Sequence, residues 1–263
     1  MSTPAPVEVA GFMGLVARGG DRGKPPIVVV HSAFADHRPY ENYLRRFSDA
    51  GFDCYAISRR GRAGRPSSEL EGVRVADYCD DVLAVLDEID GEPIVVGHSL
   101  GGVIGQRVAE ASRCRMLVLV AAAPPWALAP SLHSTLALSS RMPAILLGRP
   151  FMISEAGASR LMLNAFPASD RRRVYARFPR ESGAAFRELL TGRVRVDASK
   201  VKCPVFYVRG DADRVISERV GRRIAERYGG DYEEYADHGH WFAEEPGWER
   251  PAAGILSWIE SKL

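Results

Sequence analysis

The chain has 263 residues, of which 46% are hydrophobic and 26% are charged, a composition typical of a folded globular protein and not of a disordered chain. Its formal net charge is only +2, and because a general nucleic-acid binder usually carries a larger basic excess, we expect no nucleic-acid partner. The length predicts one large domain, or one domain that carries an insertion.

The sequence carries no signal for a membrane, a metal or export. No apolar run approaches the roughly 18 residues that a membrane span needs, and the amino-terminal segment lacks the basic head and apolar stretch of a secretory signal. The cysteines are scattered, without the spacing of a metal site: Cys54, Cys79, Cys114 and Cys203. We therefore expect a cytoplasmic protein with reduced thiols, no membrane association, no metal and no other cofactor. The oligomeric state is left open.

Short apolar runs alternate with helical patterns along most of the chain. The runs cover residues 27–31, 52–58, 94–97, 116–122, 204–209 and 232–235. The helical patterns cover residues 75–89, 100–112, 217–228 and 251–262, and Ser217 is a candidate N-cap for the third of them. This alternation predicts an α/β fold with a mostly parallel central sheet and helices on both faces.

The alternation is interrupted once, after Pro124. Residues 125–195 are rich in Leu, Met, Phe and Ala but show no clear strand, which predicts a helical insertion between a core of residues 1–124 and 196–263. The insertion holds eleven Arg, no Lys and four carboxylates, a net charge of +7. This charge is typical of a solvated surface and is also compatible with an anionic substrate or an acidic carrier protein.

The strongest local motif is GHSLG at residues 97–101, where an apolar run ends and a helical pattern begins. A serine on such a tight turn has a strained backbone and a hydroxyl raised above the sheet. Small residues are needed beside it because the strand and helix backbones pass close together, and Gly97 and Gly101 meet that need. We therefore interpret Ser99 as a nucleophile.

A nucleophilic serine needs a base and an orienting carboxylate, which a parallel sheet supplies from loops after later strands. Asp211 and Asp213 follow the fifth run, and His238 and His240 follow the sixth. The residues themselves leave both choices open, and His238 is equally typical of an exposed loop residue. The segment after the fourth run, residues 120–124, contains no acid.

An oxyanion hole needs two amide donors near the nucleophile. The helix that begins after Ser99 supplies the backbone N–H of Leu100. The loop after the first run supplies the second donor, for which we select the backbone N–H of Ala33, with that of Phe34 as the next candidate.

With these motifs the chain resembles the α/β-hydrolase superfamily over nearly its whole length. The resemblance rests on HSAF at 31–34, SRRGRAG at 58–64, GHSLG at 97–101, GDADR at 210–214 and HGHW at 238–241. It implies the α/β-hydrolase fold with a helical cap at 125–195, and Ser99, Asp213 and His240 as catalytic residues. Two departures from the family pattern are Ser32 in place of a glycine and the pair Arg65-Pro66 between Gly64 and Ser67.

The resemblance implies a serine hydrolase that acts through an acyl-enzyme. We expect a carboxylic ester of a small or medium apolar molecule as substrate, with contacts from Phe34, Trp126 and Trp241. A lactonase, a thioesterase, a carbon–carbon bond hydrolase, a haloperoxidase-like enzyme and a non-catalytic receptor for a small ligand remain open. Dehalogenase and epoxide-hydrolase chemistry is disfavoured because the nucleophile is not a carboxylate.

Overall fold

The computed structural model of this protein describes residues 3–129 and 131–263. Residues 1, 2 and 130, which fall within the predicted core and insertion ranges, lie outside the described residues. Eight strands form one sheet. In chain order they are β1 Ala5–Val9, β2 Phe12–Ala17, β3 Ile27–Val30, β4 Cys54–Ile57, β5 Ile94–His98, β6 Met116–Val120, β7 Val205–Gly210 and β8 Asp231–Tyr235.

The strand order across the sheet is β1-β2-β4-β3-β5-β6-β7-β8. The two pairings β1–β2 and β2–β4 are antiparallel, and the five pairings from β4 to β8 are parallel. The predicted α/β fold with a mostly parallel sheet is therefore confirmed. The carboxyl ends of the parallel strands lie at one edge of the sheet, which is where ligands bind in open sheets of this kind.

Besides four short 3-10 helices, the described ranges contain ten α-helices, which cover both faces of the sheet or lie in the segment after β6. They are α1 Glu41–Asp49, α2 Val75–Asp87, α3 Leu100–Glu110, α4 Leu132–Leu138, α5 Met142–Leu146, α6 Glu155–Leu161, α7 Ala168–Tyr175, α8 Gly183–Thr191, α9 Glu218–Arg227 and α10 Glu249–Ser261. Ser217 does occupy the N-cap of α9, but its side chain makes no capping hydrogen bond there. None of the helices in the described ranges has the length and apolar character needed to cross a membrane.

Strand β3 illustrates why the sheet is covered on both faces. Its four residues are all buried. Val28 and Val30 belong to an apolar cluster with α2, α3 and α9, whereas Ile27 and Val29 belong to a second cluster with α1 and α10. Because side chains alternate between the faces of a strand, a continuous apolar run is needed when helices cover both.

The amino-terminal hairpin of β1 and β2 has no counterpart among the predicted strands. Its exposed edge strand, β1, alternates only weakly between buried and exposed residues and contains Pro6. Gly14 interrupts β2, where a Cβ atom would lie 2.4 Å from the carbonyl oxygen of Ala56 on β4. A short, half-exposed strand with proline or glycine gives a weak sequence pattern.

The segment between β6 and β7 contains five helices, α4 to α8, and one isolated β-bridge between Phe151 and Glu181. Glu181 is fully buried and pairs with the equally buried Arg62, 2.6 Å away. The Tyr78 hydroxyl donates to the same carboxylate at 2.6 Å. Although burial alone would raise the pKa of Glu181, the nearby arginine charges and the Tyr78 hydrogen bond lower it. This ion pair joins the segment to the loop after β4.

We expect Glu181→Gln to lower the free energy of unfolding by about 3–5 kcal/mol, because Arg62 then remains buried without an opposite charge. The matched control is Glu41→Gln, which removes an ion pair to Arg45 in which both side chains are 41–50% exposed. Exposed pairs of this kind contribute less than about 1 kcal/mol. Urea unfolding measures the loss of unfolding free energy in both variants. Equal losses would contradict the prediction that the buried pair contributes more to stability than the exposed one.

Candidate functional site

Ser99 lies on the turn between β5 and α3, as its motif predicts. Its backbone angles are φ 54° and ψ −114°, a strained conformation for a residue with a side chain. Backbone groups of β6 and of the segment after it form hydrogen bonds with the N–H and the carbonyl oxygen of Ser99. The Ser99 N–H donates to the carbonyl oxygen of Val120 at 2.9 Å, and its own carbonyl accepts from the Ala123 N–H at 3.0 Å.

The glycines around Ser99 permit backbone contacts that no larger residue allows. A Cβ atom on Gly101 would lie 2.0 Å from the carbonyl oxygen of Val30, at the end of β3. On Gly97 it would lie 2.6 Å from the carbonyl oxygen of Gly101. The first turn of α3 therefore packs directly on strand ends, with its free N–H groups beside Ser99.

The imidazole of His240 lies between the hydroxyl of Ser99 and the carboxylate of Asp213. Its Nε2 is 2.9 Å from Ser99 Oγ, and its Nδ1 is 2.9 Å from Asp213 Oδ2. Because an ionised carboxylate only accepts hydrogen bonds, Nδ1 donates its hydrogen to Asp213. Nε2 is then the acceptor for the Ser99 hydroxyl. All three side chains are buried.

The two alternatives at these loops have other partners. Asp211 accepts the backbone N–H of Asp237 at 2.9 Å and so joins the loops after β7 and β8. His238 is 2% exposed, so its interpretation as an exposed loop residue is wrong. Its ring stacks on Phe242, with 5.4 Å between the ring centroids. The structure therefore brings Asp213 and His240 to Ser99, and it keeps Asp211 and His238 away.

Asp213 is held in place by amides of its own loop. Its second oxygen, Oδ1, accepts the backbone N–H groups of Val215 at 2.7 Å and Ile216 at 3.0 Å. With Oδ1 occupied in this way, Oδ2 faces the imidazole of His240.

Glu245 positions the backbone on both sides of His240, a role that the sequence motifs did not reveal. Its fully buried carboxylate accepts the N–H of Gly239 at 2.8 Å and the N–H of Trp241 at 2.8 Å. One side chain therefore fixes the two peptide units that flank the imidazole. The only sequence signal for this role is a carboxylate five residues after the histidine, which is too common to be diagnostic.

The side chains of Tyr40 and His98 form a chain of hydrogen bonds that joins the loop after β3, the end of β5 and the loop after β8. Tyr40 accepts the Ser32 N–H at 3.0 Å, and its hydroxyl lies 2.8 Å from Nδ1 of His98. On the other side of that ring, Nε2 donates to the carbonyl oxygen of His240 at 2.8 Å. Burial, and to a smaller extent the neighbouring imidazole of His240, lowers the pKa of His98 to about 3. His98 therefore stays neutral and can accept at Nδ1 while it donates at Nε2.

The loop after β3 borders the same cavity as Ser99. Ala33 and Phe34 line the same cavity as Ser99 and Leu100, and Phe34 has a positive φ of 55°. The buried guanidinium of Arg59 donates to the carbonyl oxygens of His31 at 3.1 Å and Ser32 at 3.3 Å. The two predicted amide donors, Ala33 and Leu100, therefore lie on residues that border one cavity with Ser99.

The cavity beside Ser99 is almost entirely apolar. Fifteen of its eighteen lining residues are hydrophobic, and the other three are Ser99, Ser134 and His240. Helices α4, α6 and α8 contribute many of them, and none of the eleven insertion arginines borders it. The hydrophobic set is Ala33, Phe34, Leu100, Ala123, Leu128, Ala129, Leu138, Ile153, Leu161, Met162, Phe186, Leu189, Leu190, Val215 and Ile216.

Two of the three predicted substrate contacts lie elsewhere. Trp126 lies beneath the guanidinium of Arg223, 4.5 Å from its ring centroid, and does not border the cavity. Trp241 stacks on Phe178 at 4.6 Å, and its ring N–H donates to Glu244. Closeness in sequence to His240 does not bring Trp241 to the cavity, because adjacent side chains point in different directions. Phe34 is the predicted contact that does line it.

The cysteine and carboxylate side chains show no metal-binding arrangement in the described ranges. No group of three His, Cys, Asp or Glu residues among them has the geometry to hold a metal ion.

Comparisons with known proteins agree with this architecture. The model of the alpha/beta hydrolase family matches residues 27–253. A Variovorax paradoxus protein proposed to be the carbamate hydrolase RutD is 27% identical over 199 residues, which are 71% of this chain and 73% of that protein. A Saccharomyces cerevisiae protein proposed to be an alcohol acetyltransferase is 29% identical over 114 residues, and the match spans 40% of this chain but only 33% of that protein. The structure of the Paleococcus ferrophilus monoacylglycerol lipase superimposes over 100% of both chains with a TM-score of 0.69 and 20% identity.

The depressed pKa of His98 predicts an acid-sensitive fold. Unfolded histidine binds a proton below about pH 6.5, whereas folded His98 does so only near pH 3. Between these values the unfolded state binds more protons, so the free energy of unfolding falls on acidification by about 1.4 kcal/mol per pH unit from this residue.

His98→Asn removes the titrating ring and should flatten the pH dependence of stability by that amount between about pH 5.5 and pH 4. Urea unfolding at several pH values measures the slope. At pH 7.5 His98 is neutral in both the folded and the unfolded protein. The loss of unfolding free energy at that pH therefore reports the missing hydrogen bond and not the titration. Identical slopes for the variant and the parent would contradict the assignment of a neutral His98.

Proposed function

The chain belongs to the alpha/beta hydrolase family, and on that premise we propose that it is a serine hydrolase that cleaves carboxylic esters of small or medium apolar molecules. The observation that carries the proposal is the position of His240 within hydrogen-bond distance of both Ser99 and Asp213. A serine hydroxyl is a poor nucleophile unless a neighbouring base removes its proton. A histidine that is held by a carboxylate is such a base.

In the first half of the reaction, Ser99 Oγ attacks the carbonyl carbon of the ester while its proton passes to Nε2 of His240. The carboxylate of Asp213 stabilises the resulting imidazolium through the hydrogen bond at Nδ1. His240 then returns the proton to the departing alcohol oxygen, and the acyl group remains on Ser99. The carbonyl oxygen becomes negatively charged during the attack and requires donors aimed at it.

Those donors are the backbone N–H groups of Ala33 and Leu100. Leu100 is the first residue of α3, so its amide has no partner within the helix and lies at the positive end of the helix dipole. Ala33 contributes from the loop that Arg59 and Tyr40 hold in place. Because these donors are fixed before the substrate arrives, little reorganisation is needed as charge develops.

In the second half of the reaction, His240 removes a proton from water, which attacks the acyl-enzyme. The tetrahedral intermediate uses the same two amides. As it collapses, His240 returns the proton to Ser99 Oγ, which regenerates the serine and releases the acid. In this reaction the α/β core and the helices of residues 125–195 have different functions. The core carries the reacting groups, and the helices act as a cap that covers the acyl or alcohol group.

The cavity lining supports an uncharged, apolar substrate. Fifteen hydrophobic residues surround Ser99, and no arginine or lysine borders the cavity to pair with an anionic group. Burying an unpaired carboxylate there would be strongly unfavourable. The +7 charge of the insertion therefore gives no support to an anionic substrate. Amide, carbamate and thioester carbonyls could be attacked in the same way, and they belong in the substrate tests.

We expect Ser99→Ala to abolish hydrolysis of p-nitrophenyl esters, because it removes the hydroxyl that lies within hydrogen-bond distance of His240 and would form the acyl-enzyme. The matched control is Ser134→Ala, which removes the second serine of the cavity lining and should retain most of the activity. A panel of acyl chains from acetyl to decanoyl, with hemisuccinate as an anionic member, measures chain-length preference and charge tolerance. Tight ligand binding by the parent without turnover of any ester would instead indicate a receptor.

Asp213→Asn should lower kcat by orders of magnitude, roughly 10⁴-fold by comparison with other triads, because the amide favours the wrong tautomer of His240. Asp211→Asn is the control two residues away, since Asp211 contacts the Asp237 amide and not the imidazole. Steady-state kinetics on the best ester separates the two variants. A larger loss from Asp211→Asn would overturn the assignment of the acid.

A further inference from the structure

Two cysteines that are 89 residues apart in sequence contact each other at the sheet edge opposite Ser99. Cys114 precedes β6 and Cys203 precedes β7, so the parallel pairing of these strands brings their amino ends together. The sulfur atoms lie 3.7 Å apart. Sequence spacing gave no sign of this pair, because the segment between the two cysteines includes the whole insertion.

We propose that Cys114 and Cys203 form a modification site at which a hydroperoxide oxidises the two thiols to an intramolecular disulfide. A disulfide requires the sulfur atoms to approach to about 2.05 Å. Both residues lie in loops just outside their strands, where side-chain rotation and a small backbone movement can close the remaining gap. The site is separate from Ser99, Asp213 and His240, so the proposal does not depend on the proposed ester hydrolysis.

A surface cavity of about 410 Å³ gives an oxidant access to the pair. Cys203 is partly exposed, whereas Cys114 is buried behind it. Three cationic side chains line the cavity with one carboxylate: Arg115, Lys202, Lys262 and Glu92. The thiolate is the form that reacts with peroxides, and the cavity leaves the sulfur of Cys203 partly accessible to them.

The contact between the two thiols assigns them different roles. The hydrogen bond between the two sulfur atoms lowers the pKa of Cys203, although burial opposes this shift, and Cys203 is also the more exposed of the two thiols. The same hydrogen bond and the burial of Cys114 raise the pKa of Cys114. Cys203 is therefore the thiol that attacks the peroxide, and Cys114 is the resolving thiol.

The reaction balances with hydrogen peroxide as the two-electron oxidant. The Cys203 thiolate attacks one peroxide oxygen, the O–O bond breaks, and the departing hydroxide takes up a proton, which leaves a sulfenic acid on Cys203. The Cys114 sulfur then attacks the Cys203 sulfur and releases the sulfenic oxygen as water after proton transfer. In total, two thiols and one hydrogen peroxide give one disulfide and two water molecules.

The other two cysteines are internal controls. Cys54 donates its S–H to the carbonyl oxygen of Phe52, and burial raises its pKa well above the ordinary value. Burial raises the pKa of Cys79 to about 12. Neither is hydrogen-bonded to a second thiol in the described part of the chain, so we expect both to remain reduced under mild oxidation.

The experiment treats the reduced full-length protein with a small excess of hydrogen peroxide, then alkylates the denatured protein with iodoacetamide. We expect a mass loss of 2 Da, two alkylated cysteines instead of four, and a linked peptide pair that contains Cys114 and Cys203. The crosslink closes an 89-residue loop, so the Tm should rise by roughly 5–10 °C and return after dithiothreitol treatment.

Variants distinguish the roles of the thiols. Cys114→Ser should stop the reaction at the sulfenic acid of Cys203, which dimedone traps with the corresponding mass increase. Cys203→Ser should prevent both products, whereas Cys54→Ser and Cys79→Ser should still give the 2 Da loss. Four alkylated cysteines after peroxide treatment, or a link only between two chains through Cys203, would overturn the proposal.

Discussion

The parallel pairing of the strands from β3 to β8 is the constraint on which the site depends. It brings the ends of β5, β7 and β8 to one edge, so Ser99, Asp213 and His240 meet although up to 141 residues separate them. The turn at Ser99 in turn requires the close approach of α3 to the end of β3, which only a glycine at position 101 allows. A strained serine backbone is thus maintained by the packing of regular elements around it.

The loops after β3 and β8 are each fixed by a buried polar side chain that bonds mainly to backbone groups. Glu245 holds the peptide units on both sides of His240, and Arg59 holds two carbonyls of the loop before Ala33. The neutral ring of His98 connects the His240 loop to Tyr40. Buried polar groups are favourable only when their hydrogen bonds are made, so these contacts restrict the loops to one arrangement.

The features that the sequence predicts well are those with local causes. The elbow around Ser99 is recognisable because strand, glycines and helix lie within a few residues, and buried strands such as β3 give continuous apolar runs. The choice of Asp213 over Asp211 needed the family resemblance, since both follow the same strand. The structure separates them by the direction in which each carboxylate points.

Features that depend on side-chain direction or on distant pairing were missed or predicted wrongly. Trp241 follows His240 directly, but its ring turns towards Phe178 and away from the cavity. Cys114 and Cys203 are brought together by strand pairing across an insertion whose length conceals their relation. Neither effect leaves a pattern in the residues nearby.

The composition of residues 125–195 does not reveal that their charged and apolar side chains occupy different places. Its helices have only five to nine residues, too short to be stable alone, and their ends leave carbonyl groups without helical partners. Two of its arginines donate to backbone carbonyl oxygens of the segment: Arg187 to that of Leu146, the last residue of α5, and Arg171 to those of Asn164 and Phe166, in the loop between α6 and α7. The apolar side chains meanwhile form the cavity wall. The arginines and the cavity-lining side chains of the insertion therefore occupy different places, and a segment with a net charge of +7 encloses a cavity that none of its arginines borders.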